Sequence, residues 1–348
     1  MIRCLTSLLG WLLIVTPLSA FADEWQAIEP LPDLEGFAGS YAGVSHDALL
    51  VAGGANFPDK KPAQGGTKVW YDRVFVLESP AGKWKSVGKL PRPLGYGVSV
   101  SYRESVVCVG GSDSQQHYAD VFQLQWHQGE LRTTKLPSFP HPIANACGAI
   151  VGDALYVVGG QMEPTSSQAL TATWRLNLSS KESTWQAMPD LPASGRILAV
   201  AAASADRLWV AGGAALHSDT SGKVARTYLV DAYCFDEANG WQRITNLPHA
   251  VTAAASPAPS FANGFYVLGG DDGTQVGIDI ARHQGFSNRI LHYDSRQARW
   301  TDQGEIPAPR VTLPCVRWNE AWVLPSGEML PGVRSPQVWT WTRGSMNE

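Results

Sequence analysis

Self-similarity at a long period constrains this chain more than any other feature. A diglycine closes a short apolar run at Gly53-Gly54, Gly110-Gly111, Gly159-Gly160, Gly212-Gly213 and Gly269-Gly270. A degenerate sixth copy, Ser326-Gly327, follows Trp322-Val323-Leu324-Pro325. Successive copies lie 49 to 57 residues apart. A second marker keeps constant phase with the first: a Trp followed six residues later by Leu-Pro or Ile-Pro, at Trp25/Leu31, Trp84/Leu90, Trp185/Leu191, Trp241/Leu247 and Trp300/Ile306. The remaining copy keeps Leu136-Pro137 but has Glu130 in place of the Trp.

Each unit holds four short runs rich in β-branched and aromatic residues, bounded by turn residues. In the third unit they are about Cys147–Val151, Ala154–Val158, Thr173–Leu178 and Trp185–Met188. Helical periodicity of useful length is missing from the pattern. Four-stranded units of this size, repeated six times, predict an all-β, six-bladed β-propeller. The 44% of apolar residues can fill such a core, and 34 Gly with 23 Pro supply its turns. The diglycine suits a strand end where the chain bends close to a neighbouring backbone. The Trp of the fourth strand suits a wedge between adjacent blades. The phase also predicts how the ring closes. Trp25-Gln26-Ala27-Ile28 reads as a fourth strand and Val338-Trp339-Thr340-Trp341 as a third. The N-terminal strand is therefore expected to complete the last blade and to remove the open edges, making residues 23–348 one domain.

Residues 1–22 read as a secretory signal. Arg3 supplies the positive start, Leu8 to Leu18 the apolar run, and Ala20-Phe21-Ala22 the small-x-small cleavage site. The mature chain is expected to begin at Asp23, outside the cytoplasm, in the periplasm or secreted, with no membrane attachment after cleavage. Cys108, Cys147, Cys234 and Cys315 lie far apart in strand-like runs and read as buried free thiols. The formal net charge of −4 argues against nucleic acid as a partner, because phosphate neutralisation needs clustered Lys and Arg, and against a polybasic membrane patch.

The repeat resembles the Kelch repeat over the whole mature chain. Two segments carry a narrower resemblance. One is Gly36-Phe37-Ala38-Gly39 with Leu49-Leu50-Val51-Ala52-Gly53-Gly54-Ala55-Asn56-Phe57 and a long loop to Trp70-Tyr71-Asp72; the other is Ser326-Gly327-Glu328-Met329-Leu330-Pro331-Gly332-Val333-Arg334. Both resemble the bacterial sialic acid mutarotases, the N-acetylneuraminate epimerases. In that family the two segments occur in the opposite order, so the chain resembles a circularly permuted relative. The resemblance implies a mutarotase for a small sugar acid, working without a cofactor, and admits a homodimer. It implies Glu328 as the base that takes the anomeric proton, with Arg334 holding the substrate carboxylate.

The residues support part of this on their own. The position after each diglycine is Ala55, Ser112, Gln161, Ala214, Asp271 and Glu328 in turn, and it begins a loop on one face of the disc. Only the last two are carboxylates, the residue type that can act as a general base. Alternatively, Glu328 binds turn amides or pairs with Arg334. Arg92, Arg196 and Arg310 follow the Leu-Pro or Ile-Pro marker and are candidates for a sugar-acid carboxylate through bidentate bonding; their alternative is bonding to backbone carbonyls between blades. Asn56, Phe57 and Trp70 are candidate sugar contacts, in one of three long loops, Ala55–Tyr71, Ala214–Thr227 and Asp271–Asn288, that can wall a pocket. Asp271-Asp272-Gly273 reads as a turn rather than a calcium site. A secreted Kelch disc that binds a glycan or protein without turnover is the competing class.

Overall fold

The computed structural model describes residues 23–204 and 206–344. Residues 1–22, read above as a secretory signal, lie outside the described residues. The chain forms a six-bladed β-propeller, each blade an antiparallel four-stranded sheet. Blade 1 comprises Tyr41–Ser45, Ala48–Ala52, Arg73–Leu77 and Lys85–Lys89. Blades 2 to 5 follow in the same up-and-down order. Blade 6 takes Val316–Trp318, Ala321–Pro325 and Val338–Thr342 from the C-terminal end and Glu24–Ile28 from the N-terminal end. Glu24 pairs with Thr342 and Ile28 with Val338, the closure that the phase of the repeat predicts.

The second strand of each blade is buried on both faces; Ala48–Ala52, Ser105–Val109 and Ala154–Val158 are buried at every residue. This explains why the strongest apolar runs of the sequence precede the diglycines. The core is correspondingly a series of inter-blade clusters. Leu50, Val74 and Val76 of blade 1, for example, pack with Val106, Cys108 and Phe122 of blade 2. The marker Trp residues bridge blades as expected. Trp84, Trp185, Trp241 and Trp300 each donate the indole N–H to a carbonyl of the preceding blade, at Glu29, Pro137, Pro189 and Thr245, over 2.8–3.0 Å.

The diglycine also serves contact between blades. The Gly54, Gly111, Gly160 and Gly213 amides donate to Leu94, Ile143, Arg196 and Val251 of the following blade, each at 2.8 Å. A Cβ on Gly53 would lie 2.3 Å from the Leu94 carbonyl oxygen, and its φ is +62°. In the degenerate copy Ser326 adopts φ 63°. Its hydroxyl accepts from the Phe37 amide at 2.6 Å and donates to the Ser335 carbonyl at 2.7 Å. That side-chain bonding ties blade 6 to blade 1 and offsets the left-handed strain of a non-glycine residue.

A feature the repeat did not disclose lines the axis. Gly39, Tyr96, Asn145, Leu198, Ala253 and Thr312 occupy equivalent positions just before the first strands, all with φ between 55° and 65°. Each donates its amide to the carbonyl of its counterpart in the neighbouring blade, and Gly39 donates to Thr312, closing a ring of hydrogen bonds 2.7–2.8 Å long. The ring holds the six blade entrances at one level and floors a funnel above it.

Candidate functional site

The funnel is a cavity of about 550 Å³ walled by the loops between second and third strands. The residue after each diglycine pairs, by an isolated antiparallel bridge, with the residue preceding the axial ring, as Glu328 does with Val311 and Asp271 with Thr252. Ser112, Gln161, Asp271 and Glu328 therefore all face the cavity. The three long loops contribute Phe57, Lys68 and Trp70, then Arg226, then Phe286.

Glu328 and Arg334 stand opposite one another in a short hairpin, Glu328–Leu330 against Val333–Arg334. Pro331-Gly332 turns the chain, with Gly332 at φ 81°. This register brings together two side chains six residues apart in sequence. One Glu328 oxygen accepts from the Gly332 amide at 2.8 Å, and the other lies 3.3 Å from Arg334 Nη2. Turn bonding and ion pairing thus coexist with a position at the cavity wall. The Arg334 guanidinium stacks on the Phe57 ring at 4.7 Å. Its side chain is 3% exposed, and its Nε and Nη1 have no protein partner. Such donors are costly to leave unpaired; both nitrogens are buried in a residue that lines the funnel. Trp70 Nε1 is likewise buried without a partner. Lys68 Nζ lies 4.5 Å from the Tyr96 ring centre and 5.0 Å from that of Trp70, and among the described residues it forms no ion pair. Donors without partners thus gather where blades 6 and 1 meet.

The walls that flank this seam, in blade 5 on one side and blades 2 and 3 on the other, carry acceptors. Asp271 accepts from the Tyr228 hydroxyl at 2.9 Å and from the Gly273 amide at 2.9 Å. Burial, together with the Asp271 charge, pushes the Tyr228 phenol up to about 12, so it stays a donor. Asp272 caps Thr274 in the same manner, which makes Asp271-Asp272-Gly273 a pair of linked turns. Ser112 and His117 of blade 2 and Gln161 of blade 3 line the opposite flank.

Four of the sequence candidates fall elsewhere. Arg196 is fully buried; it donates to the Gly212 carbonyl at 2.9 Å and grips Asp231 through both terminal nitrogens, at 3.1 and 2.9 Å. Arg310 donates to the Ser326 carbonyl at 3.0 Å and to that of Gln337 at 2.5 Å. Burial pulls its guanidinium down to about 10, still charged at neutral pH. Arg92 pairs with Asp120 at 3.0 Å and stacks on Tyr118. None of these three lines the funnel. The marker places them beside the next blade, where carbonyl ends of strands need donors. Asn56 is 1% exposed, and its amide is used by Asp33, Gly36 and Tyr71; it positions the loop that carries Phe57. His117, Lys68 and Arg226 were not singled out from the sequence. Their only signal was membership of a loop that begins at a diglycine.

A six-bladed propeller whose axial funnel is lined by a carboxylate–guanidinium hairpin beside unpaired donors has the concave form of a small-molecule site. The comparisons narrow this reading. The N-acetylneuraminate epimerase family model matches residues 16–133 and 136–277, and the chain belongs to that family. The Glu328–Arg334 hairpin lies outside the matched residues. Relatives named N-acetylneuraminate epimerase include one from Yersinia pestis (strain Pestoides F), 39% identical over 127 residues, which are 31% of this chain and 31% of the relative. One from Salmonella enteritidis PT4 is 44% identical over 90 residues, 23% of each chain. The aligned part thus spans about a third or less of the length of these relatives.

Proposed function

We propose that the protein is a mutarotase that interconverts the anomers of N-acetylneuraminate. The observation that carries the reading is the hairpin pair: Glu328 held at the funnel wall beside an Arg334 whose remaining donors are unpaired. The Arg334 guanidinium suits a sugar carboxylate, with Lys68 and Trp70 adding charge and a donor nearby. Each Glu328 oxygen keeps lone-pair capacity beyond its one protein partner. In the forward direction Glu328 takes the proton of the anomeric hydroxyl while the ring oxygen leaves the anomeric carbon and gains a proton from water or from another residue. The anomeric carbon becomes the keto group of the open chain. Rotation about the adjacent carbon–carbon bond and reclosure, with protons moving in reverse, give the other anomer. The reaction involves no net redox change, so it needs no cofactor, and only a few kcal/mol of barrier reduction gives a useful rate.

The test is anomer exchange of freshly dissolved N-acetylneuraminate, followed by proton NMR. Glu328→Gln keeps the shape and removes the base. It is expected to lose a factor of about 10²–10⁴ in rate while still binding sugar. Exchange at the wild-type rate in that variant would falsify the role of Glu328. A wild type that binds the sugar but accelerates nothing would make the protein a binding module.

A further inference from the structure

His117 stands on the blade 2 loop, 6% exposed, at the funnel wall. Its backbone bridges to Ser112, the residue after the blade 2 diglycine. The loop is pinned by Asp113, whose carboxylate accepts from the Gln115 and Gln116 amides and from the Tyr118 hydroxyl. His117 Nδ1 lies 3.0 Å from the Gln161 carbonyl oxygen of the neighbouring blade. A carbonyl oxygen can only accept, so Nδ1 carries the hydrogen. Nε2 has no protein partner among the described residues and is not sealed in the interior. Burial holds the imidazole below its usual range, against the weaker opposing effects of the Gln161 hydrogen bond and of the Glu163 and Asp113 charges, so it is neutral at pH 7. A neutral imidazole with Nδ1 protonated has a lone pair at Nε2.

We infer that His117 is a specificity-determining residue that accepts, through Nε2, a hydrogen bond from a hydroxyl of the sugar acid, remote from the carboxylate. The inference rests on the proposed function for the identity of the ligand. Its geometry is separate, because His117 belongs to blade 2 and the Glu328–Arg334 hairpin to blade 6. Arg334, Lys68 and Trp70 offer donors, which suit a carboxylate. His117 offers the complementary acceptor, which suits a hydroxyl and repels a second anionic group. The seam of blades 6 and 1 and the blade 2 wall would thereby distinguish the acid end of the ligand from its polyol end.

The test is a cycle of binding titrations with N-acetylneuraminate and its monodeoxy analogues, on the wild type, His117→Ala and His117→Gln. In the wild type one analogue should bind about 3- to 10-fold more weakly than the parent sugar, the worth of one neutral hydrogen bond. His117→Ala should abolish that penalty, binding parent and analogue alike. His117→Gln, which places an amide oxygen near the position of Nε2, should restore part of it. In turnover, KM should rise and kcat stay near wild type, because the contact is made equally in ground and transition states. Unchanged discrimination in His117→Ala overturns the inference, as does an equal loss for every sugar, which marks a structural role. Imidazole nitrogen NMR of the unliganded protein gives an independent check: an Nε2-protonated tautomer overturns it even where the alanine variant fails to fold. A wild type that binds N-acetylneuraminate without turning it over defeats the proposed function and leaves this cycle intact. One that binds no sugar acid defeats both.

Discussion

Arginine shows most directly how one residue type divides its duties in this molecule. Arg196 and Arg310 meet backbone carbonyls or a carboxylate between blades, whereas Arg334 keeps two nitrogens free beside the funnel. All three are at most 5% exposed, so burial alone does not separate structure from function. What separates them is the extent of satisfaction: Arg196 and Arg310 each have one buried nitrogen, Nε, without a partner, whereas Arg334 has two, Nε and Nη1. Arg196→Met tests the structural role of the first of them. It leaves Asp231, 17% exposed, without its partner. We expect a loss of about 3 kcal/mol, near the lower end for breaking a buried pair, measured by chemical denaturation, with sugar affinity of the folded protein unchanged. Lost affinity at unchanged stability would return Arg196 to the ligand.

At the scale of the element, the N-terminal strand has the largest consequence for its size. Trp25 stacks on Trp341 with ring centres 5.8 Å apart, and Trp341 is fully buried. Asp23 accepts from the Trp341 indole at 3.2 Å. Removing residues 23–28 takes away the partner of Trp341 and bares the edge of the blade that carries the Glu328 hairpin. The expected cost is at least about 3 kcal/mol, by comparison with Trp truncations in cores, together with aggregation through the exposed edge. An unchanged unfolding midpoint would contradict this role for the strand. The Glu328 hairpin makes the complementary point. Sequence spacing placed Pro331-Gly332 between the two charged residues, and the observed register makes them direct cross-strand neighbours.

For the whole molecule, the state of its cysteines bears on the compartment proposed for it. Cys108, Cys147 and Cys315 are buried and Cys234 is half-buried, all as free thiols. Burial pushes Cys147 up to about 12 and Cys234 to about 11. Little thiolate forms, so these residues are poor substrates for oxidation in an oxidising compartment. We propose the periplasm or the extracellular medium as the location, on the strength of Arg3, the Leu8–Leu18 run and Ala20-Phe21-Ala22. N-terminal sequencing of protein recovered outside the cytoplasm should begin at Asp23; an intact Met1 in the membrane fraction would contradict it.

The repeat by itself determined the number of blades, the strands within each, and the splicing of the two termini into blade 6. These follow from local requirements that recur at a fixed period: an apolar run buried on both faces, a glycine pair where backbones touch, an indole reaching the preceding blade. Such requirements are written into residue type and spacing. The same logic singled out Glu328, because its place after the diglycine is also its place at the funnel. Tertiary structure alone decided the rest. It sent Arg92, Arg196, Arg310 and Asn56 away from the cavity and brought in Lys68, Arg226 and His117. It also built the axial ring, where Tyr96, Asn145, Leu198, Ala253 and Thr312 take a left-handed conformation that their side chains do not announce. The physical reason is that a funnel at a six-fold axis is made from six distant segments. Which side chains face it depends on where carbonyls of the neighbouring blade already claim a donor, and that is a property of the assembled ring rather than of any one segment.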